Sequence, residues 1–228
     1  MAARTMTVKE LARTLHLSQN EVIRMAERDM LPGQKVRGQW QFRTGEVWNW
    51  LQENLQGLDD HRGRDRHPAE SDTTILSGVL MDTGVTLDAT AKTKSSVLRT
   101  LSDLAAAVDP YIDPAVLLES LTEREEQVST ALEAGIAVPH PARPQYSEGP
   151  ILAACRTAQG IYFGERGGGM SDLFFLVCCP EPEQHLLFLG RLCKLLLNAE
   201  LLDALRRAES AGEFVDLIES AERRLCAK

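Results

Sequence analysis

The sequence predicts an α/β protein, a larger domain of mixed helices and short strands preceded by a small helical domain that carries a β-hairpin. Three observations carry this expectation. The 228 residues suit one large domain or two small ones, and charge divides the chain: residues 1–56 carry net +2, residues 57–72 net −2 and residues 73–228 net −8. All three tryptophans (Trp40, Trp48, Trp50) precede the middle stretch GLDDHRGRDRHPAESD, which has no helical or strand period and suits a solvated linker. Beyond it, helical apolar stripes alternate with short apolar runs. The expected division is therefore 1–56, a linker at 57–72, and 73–228.

With 43% apolar and 25% charged residues, the chain has enough material for a buried core and is neither collagen-like nor wholly disordered. Its longest apolar run, around Leu173–Cys179, is far shorter than the eighteen or so residues of a membrane span. The opening MAARTMTVKELART has no continuous apolar stretch of the secretory kind. The five cysteines (Cys155, Cys178, Cys179, Cys193, Cys226) form no C-x-x-C pair, which points to reduced thiols and not to a disulfide framework or a zinc site. A soluble cytoplasmic protein without a metal or organic cofactor is expected.

In the first domain, Thr7-x-x-Glu10 and Ser18-x-x-Glu21 are two capping boxes, each placing a hydroxyl three residues before a glutamate. The helices they open carry Val8, Leu11 and Leu15, then Val22, Ile23 and Ala26, the second ending near Asp29–Met30 before Leu31-Pro32-Gly33. Val36, Trp40 and Phe42 are mostly in period two around Arg37-Gly38-Gln39, predicting a hairpin. A third helix is expected from Thr44, with Val47, Trp48 and Leu51.

In the second domain, an extended segment is expected at Val85–Leu87, then a helix over Lys92–Val108. Another helix begins with Asp113 as N-cap and Pro114 at N1 and runs to Glu126. Strands are expected at Gly135–His140, Ile151–Arg156 and Leu173–Cys178, then helices at Glu183–Asn198, Leu201–Ala208 and Gly212–Arg224. Gly164–Gly169 lacks the Lys-Ser/Thr of a phosphate-binding loop and reads as a hairpin turn. Cys178 and Cys179, as strand neighbours, point oppositely, one to the core and one to an edge.

Three residues of this domain invite chemistry. His140 lies in GIAVPHP, where prolines on both sides hold the preceding residues in extended geometry and remove N–H groups. A rigidly held neutral imidazole is a usable nucleophile toward a phosphoryl donor, although the same spacing also fits a loop histidine without chemistry. Arg124, three and seven residues after Leu121 and Leu117, falls on the inward stripe of its helix. It then lines a pocket or pairs with a distant carboxylate, since Glu119, Glu123, Glu125 and Glu126 are not at facing spacings. His185 joins the stripe of Leu189, Leu192, Cys193 and Leu196 near a helix start, as a core or capping residue or as part of an anion site.

Two family resemblances follow from these residues. MTVKELARTLHLS and LPGQKVRGQWQFRTGEVWNWL resemble the excisionase/MerR-like winged helix-turn-helix DNA-binding family over nearly all of residues 6–55. This resemblance implies phosphate contacts from Lys35, Arg37 and Arg43 of the wing, and DNA contacts from Gln19, Asn20, Arg24 and Arg28 on or near the exposed face of the second helix. A single copy would bind weakly, so specific binding implies a homodimer.

The second domain resembles enzyme IIA of the bacterial phosphotransferase system, of the fructose/mannitol and nitrogen-regulatory type. The resembling stretches include Ser120–Glu125, GIAVPHP, Asp172–Pro180 and His185-Leu186-Leu187. The resemblance implies that His140 accepts the phosphoryl group, that His185 orients it and that Arg124 stabilises its charge. It also implies a histidine phosphocarrier protein as donor. Pro141 stands where the family often has glycine. The expectation is a phosphorylation-responsive regulator that couples DNA binding to this domain. The alternative is a phosphocarrier component of sugar uptake whose first domain serves protein contacts.

Overall fold

A computed structural model of the chain describes residues 5–14, 19–36, 38–43, 46–47, 75–141, 147, 149–164 and 169–226. The chain divides into two units, Met1–Asp72 and Thr73–Lys228, each described by itself.

In the first unit, strand β1 (Thr5–Thr7) leads directly into helix α1 (Val8–Thr14). The expected capping box is present: the Thr7 amide donates to Glu10 Oε2 (2.8 Å) and the Glu10 amide to Thr7 Oγ1 (3.3 Å). Ser18 lies outside the described residues, and so does most of the expected third helix, of which only Glu46 and Val47 are described as helical. Helix α2 (Gln19–Glu27) is followed by strands β2 (Gln34–Val36) and β3 (Gln39–Arg43), joined through Gly38 at φ +81°. The hairpin was expected; β1, which pairs with β3 in a sheet of order β1-β3-β2, was not. Three residues are too few for a period to show. Leu11, Val22, Met25, Leu31, Phe42 and Val47 are buried in this unit.

The second unit is a four-stranded sheet with helices on both faces. Strand β4 (Leu80–Ala89) is followed by helices α3 (Lys94–Val108) and α4 (Pro114–Gln127). Both starts are capped as their residues dictate: Thr93 and Ser96 form a reciprocal box, and the Asp113 carboxylate accepts from the Ala115 and Val116 amides. Then come strands β5 (Ile136–Ala137), β6 (Ile151–Tyr162) and β7 (Met170–Cys178). Helices α5 (Pro182–Leu196), α6 (Ala199–Arg207) and α7 (Ala211–Cys226) end the unit. The sheet order is β4-β6-β7-β5, parallel at β4/β6 and β5/β7 and antiparallel at β6/β7, which makes it a mixed sheet.

Alternation along the strands divides the core in two. Leu152, Ala154, Leu173, Phe175 and Val177 pack with Leu189, Leu192, Leu202 and Phe214 of the last three helices. Ala153, Cys155, Phe174, Leu176 and Cys178 pack with Leu98, Leu101, Leu117 and Leu121 of α3 and α4. A strand buried on both faces reads as a continuous apolar run, which explains Leu173–Cys179. It also corrects the expectation for the cysteine pair. Cys178 and Cys179 do face opposite ways, but both are buried, because neither face is an edge.

Two polar side chains tie the layers. Arg156 of β6 donates Nη1 to the Leu205, Arg206 and Ala208 carbonyls and Nε to the Leu87 carbonyl, closing the C-terminal end of α6 onto β4. Glu222, fully buried in α7, accepts from the Ile75, Leu76 and Ser77 amides and lies 3.8 Å from Arg191 Nη1.

Burial pushes the Cys155 and Cys178 thiols from an ordinary 9.0 up to about 12. A folded-state pKa above the unfolded one contributes its full stability below pH 9 and loses it as pH rises toward 12. The denaturant midpoint should therefore fall as pH climbs through this window. Iodoacetamide at pH 8 should label neither thiol while the protein is folded, and native-state labelling of either would contradict their placement.

Candidate functional site

The site grows from the end of β5. Ile136 and Ala137 pair with Leu173 and Phe174 of β7, and the Val177 amide donates to the Pro139 carbonyl at 3.1 Å, so β7 still holds the chain one residue before His140. On the other side of β5, Leu132 donates its amide to the Ile136 carbonyl (2.8 Å) and Val138 its amide to the Thr130 carbonyl (3.0 Å). Residues 130–132 thus run antiparallel to 136–138. Val128, the C-cap of the preceding helix, is also extended (φ −155°, ψ 129°). The Pro139 ring removes one amide from the ladder and fixes the approach to the histidine.

His140 is buried, 2% exposed. Its Nδ1 lies 3.0 Å from the Val138 carbonyl oxygen. A carbonyl only accepts, so Nδ1 holds the ring proton and Nε2 carries the lone pair in the neutral imidazole. His185, half-buried in the first turn of α5, faces this ring with centroids 5.0 Å apart and planes inclined at 48°. Its amide donates to the Glu181 carbonyl, and Pro182 opens the helix without an N–H. Two residues 45 apart in sequence are thus brought into contact.

Arg124 sits in the last turn of α4 and is half-buried. Its Nη1 donates to the Val128 carbonyl at 2.8 Å. The inward stripe from Leu117 and Leu121 continues to Glu125, 6% exposed, and Arg124 lies at its margin. This corrects the expected inward position of the arginine: spacings of three and four both continue a stripe, and here the fourth residue is the deeper. Glu125 accepts from Ser129 Oγ (2.8 Å), Thr130 Oγ1 (2.6 Å), the Thr130 amide (3.0 Å) and Lys94 Nζ (3.1 Å). Sequence reasoning passed over this residue; a carboxylate at i+4 and i+8 from two core leucines was the available signal.

The turn before β5 is held from outside. Arg206 of α6 makes a two-point contact with Asp172, Nε to Oδ2 and Nη2 to Oδ1 at 2.8 Å each, and Nη2 also donates to the Ala134 carbonyl. Hydrogen bonding to Asp172 raises the Arg206 pKa further. Ala134 (φ 60°) and Gly135 (φ 80°) are both left-handed. Among the described residues, no group of three or more His, Cys, Asp or Glu side chains could hold a metal ion.

In the first unit, Gln19, Asn20, Arg24 and Arg28 are exposed on or just after α2. Lys35 lies 3.7 Å from Glu27 Oε1 and 5.1 Å from the Trp40 ring centre, and Arg43 Nη1 lies 2.9 Å from Glu46 Oε1. Two of the three cations expected on the hairpin are therefore partnered within the unit; the third, Arg37, lies outside the described residues.

A Cβ on Gly135 would stand 2.8 Å from Arg206 Nη2 and 2.9 Å from Asp172 Oδ1. Gly135→Ala should therefore cost at least about 1 kcal/mol from backbone conformation alone. It should also speed amide exchange at Asp172 and Leu173, which donate to the Gly135 carbonyl. Ala134→Gly, at a left-handed site, should not lower stability. Urea melts of the two variants check the pair, and an unchanged midpoint for Gly135→Ala would contradict the clamp.

Comparison with known proteins bears on the second unit. Residues 79–221 match the family described as phosphoenolpyruvate-dependent sugar phosphotransferase system, EIIA 2. The fructose-specific EIIA component of the phosphotransferase system from Haloferax volcanii is 29% identical over 149 residues, 64% of this chain and 96% of the relative. A nitrogen regulatory protein of Pseudomonas aeruginosa is 32% identical over 127 residues, 55% of this chain and 82% of the relative. Among solved structures, nitrogen regulatory protein IIA-Ntr from Neisseria meningitidis superposes with a TM-score of 0.58 at 24% identity, covering 64% of this chain and 99% of that one. IIA mannitol from Escherichia coli superposes with a TM-score of 0.54 at 22% identity, covering 61% and 98%. With a mixed sheet between helical layers and a family match over 143 of its 228 residues, this chain belongs to the EIIA 2 family of the phosphoenolpyruvate-dependent sugar phosphotransferase system.

Proposed function

We propose that the second unit is a phosphoryl carrier of the phosphotransferase system, with His140 accepting the phosphoryl group on Nε2. The observation that carries this reading is the pair of imidazoles 5.0 Å apart, one of them fixed through Nδ1 to a backbone carbonyl. In the transfer, the N–P bond of the donor's phosphohistidine breaks as the bond from His140 Nε2 to phosphorus forms. The proton on Nδ1 stays where it is, shared with Val138. His185 hydrogen-bonds the phosphoryl oxygens, and Arg124 offsets their charge. Phosphoryl transfer asks for little beyond such positioning and neutralisation.

A small histidine phosphocarrier protein is the donor on this reading, which places the protein in the cytoplasm. The acceptor is a IIB-type partner or, as the nitrogen-regulatory relatives suggest, a regulatory target. One neighbour in fold space is the Escherichia coli mannitol IIA bound to phosphorylated IIB, with a TM-score of 0.54. Since His140 is only 2% exposed, transfer demands a donor that fits closely around the ring edge.

Incubation with a phosphoenolpyruvate-driven donor chain should add one acid-labile phosphoryl group, read by intact mass. His140→Ala should take up none, and Arg124→Ala should transfer about a hundredfold more slowly. Failure of the wild type to take label, or equal labelling of His140→Ala, would overturn the assignment.

A second reading keeps the first unit as a DNA-binding module, so that phosphorylation controls occupancy. The exposed polar and basic face of Gln19, Asn20, Arg24 and Arg28 favours it. The pairing of Lys35 and Arg43 with neighbouring carboxylates favours protein contacts instead. Titration with duplex DNA separates the two. Under the DNA reading, affinity falls steeply as salt rises and is lost in an Arg24→Ala/Arg28→Ala variant. Under the carrier reading there is no such binding.

A further inference from the structure

We infer that Glu125 is a positioning residue for phosphoryl transfer, acting on the His140 imidazole through Thr130 and Val138. The inference rests on the reading of His140 as the phosphoryl acceptor and deepens it. An unbroken hydrogen-bonded line joins the two residues. The Glu125 carboxylate accepts from the amide (3.0 Å) and hydroxyl (2.6 Å) of Thr130, which is fully buried. The Thr130 carbonyl accepts from the Val138 amide at 3.0 Å. The Val138 carbonyl accepts from His140 Nδ1 at 3.0 Å. Lys94, from α3, anchors the far end of the line on Glu125 Oε1 at 3.1 Å.

The neighbouring residue grips the same short segment. Arg124 Nη1 holds the Val128 carbonyl (2.8 Å) while Glu125 holds Ser129 and Thr130, so one helical turn fixes residues 128–130 at both ends. Thr130 at the end of that segment opens the 130–132 stretch that β5 pairs with on the side away from β7, and its carbonyl, bound by the Val138 amide, sets the height of the residue to which His140 is tied. A buried carboxylate receiving four donors makes short, charge-assisted bonds, and these hold Thr130, and through its carbonyl Val138, in place. Removing the charge leaves the buried donors of Thr130 and the half-buried Ser129 hydroxyl poorly matched and lets 128–130 relax. The Val138 carbonyl then moves, the Nδ1–H tautomer loses its preference, and Nε2 is no longer aimed at incoming phosphorus. A misplacement near 1 Å costs on the order of a hundredfold in rate.

Such a role differs from stability alone, and Glu222 supplies the control. It too is a buried carboxylate accepting three backbone amides, but its partners are residues 75–77 and Arg191. The experiment compares Glu125→Gln with Glu222→Gln in the full chain by thermal melting, by ¹⁵N NMR of the His140 ring, and by single-turnover phosphorylation from the phosphocarrier. Both variants should melt earlier than wild type. Only Glu125→Gln should convert a single Nδ1–H tautomer into a mixture and slow transfer ten- to a hundredfold.

Should Glu125→Gln fail to fold, Thr130→Val removes the hydroxyl arm alone and should shift tautomer and rate in the same direction by a smaller factor. An unchanged His140 tautomer and an unchanged rate in the folded variant would overturn the inference. The tautomer comparison needs no phosphoryl donor. A wild type that takes no phosphoryl group would therefore sink the reading of His140 while leaving the effect of Glu125 on the ring measurable.

Discussion

A carbonyl oxygen cannot donate a hydrogen bond, and the chemistry proposed for this protein depends on that elementary fact. The Val138 carbonyl, two residues before the histidine, accepts a hydrogen bond from His140 Nδ1–H and so leaves the lone pair on Nε2, the nitrogen that the proposed phosphoryl transfer uses. Everything that fixes Val138 therefore fixes the orientation of the ring. The stretch from β5 to His140 has β7 on one side and residues 130–132 on the other, with proline on both sides of the histidine. A ring held this way loses little orientational freedom on meeting a donor.

The rest of the second unit holds that strand still. Its sheet carries a core on each face, and β5 is kept in register by its pairs with Leu173 and Phe174 and by the bonds to residues 130–132. From α6, Arg206 pins the turn before β5, and Arg156 of β6 pins the end of the helix that carries Arg206. Glu222 anchors the start of the unit to its last helix. Truncating any of these buried groups would leave unmatched donors or acceptors, which is where single substitutions do most damage. The same packing leaves four of the cysteines with thiol pKa values pushed above the ordinary range by burial, which makes them core residues before anything else.

Much of this was legible in the chain, for reasons that can be named. Asp113-Pro114 marked a helix start because a carboxylate cap and a fixed φ serve no other local purpose so well. GIAVPHP marked a stiff strand end because two prolines forbid anything else, and His185 showed itself by continuing a leucine stripe. What stayed hidden required long-range partners. β4 reaches back to Leu80, although its exposed Met81, Asp82 and Thr83 give no alternating pattern. Glu125 looked like one of several surface glutamates, because its donors come from a loop, a threonine and a lysine thirty-one residues earlier. The burial of Cys179 depended on a second helical layer that no local pattern announces. The convergence of His140 and His185 could be read only through family resemblance, since spacing carries no information about which strand end meets which helix start.

The most direct test concerns the modified atom. After phosphorylation by the phosphoenolpyruvate-driven chain, ¹⁵N and ³¹P NMR of the intact protein should place phosphorus on His140 Nε2, with Nδ1 still protonated and bound to the Val138 carbonyl. Phosphorus on Nδ1, or on a residue other than His140, would contradict the account.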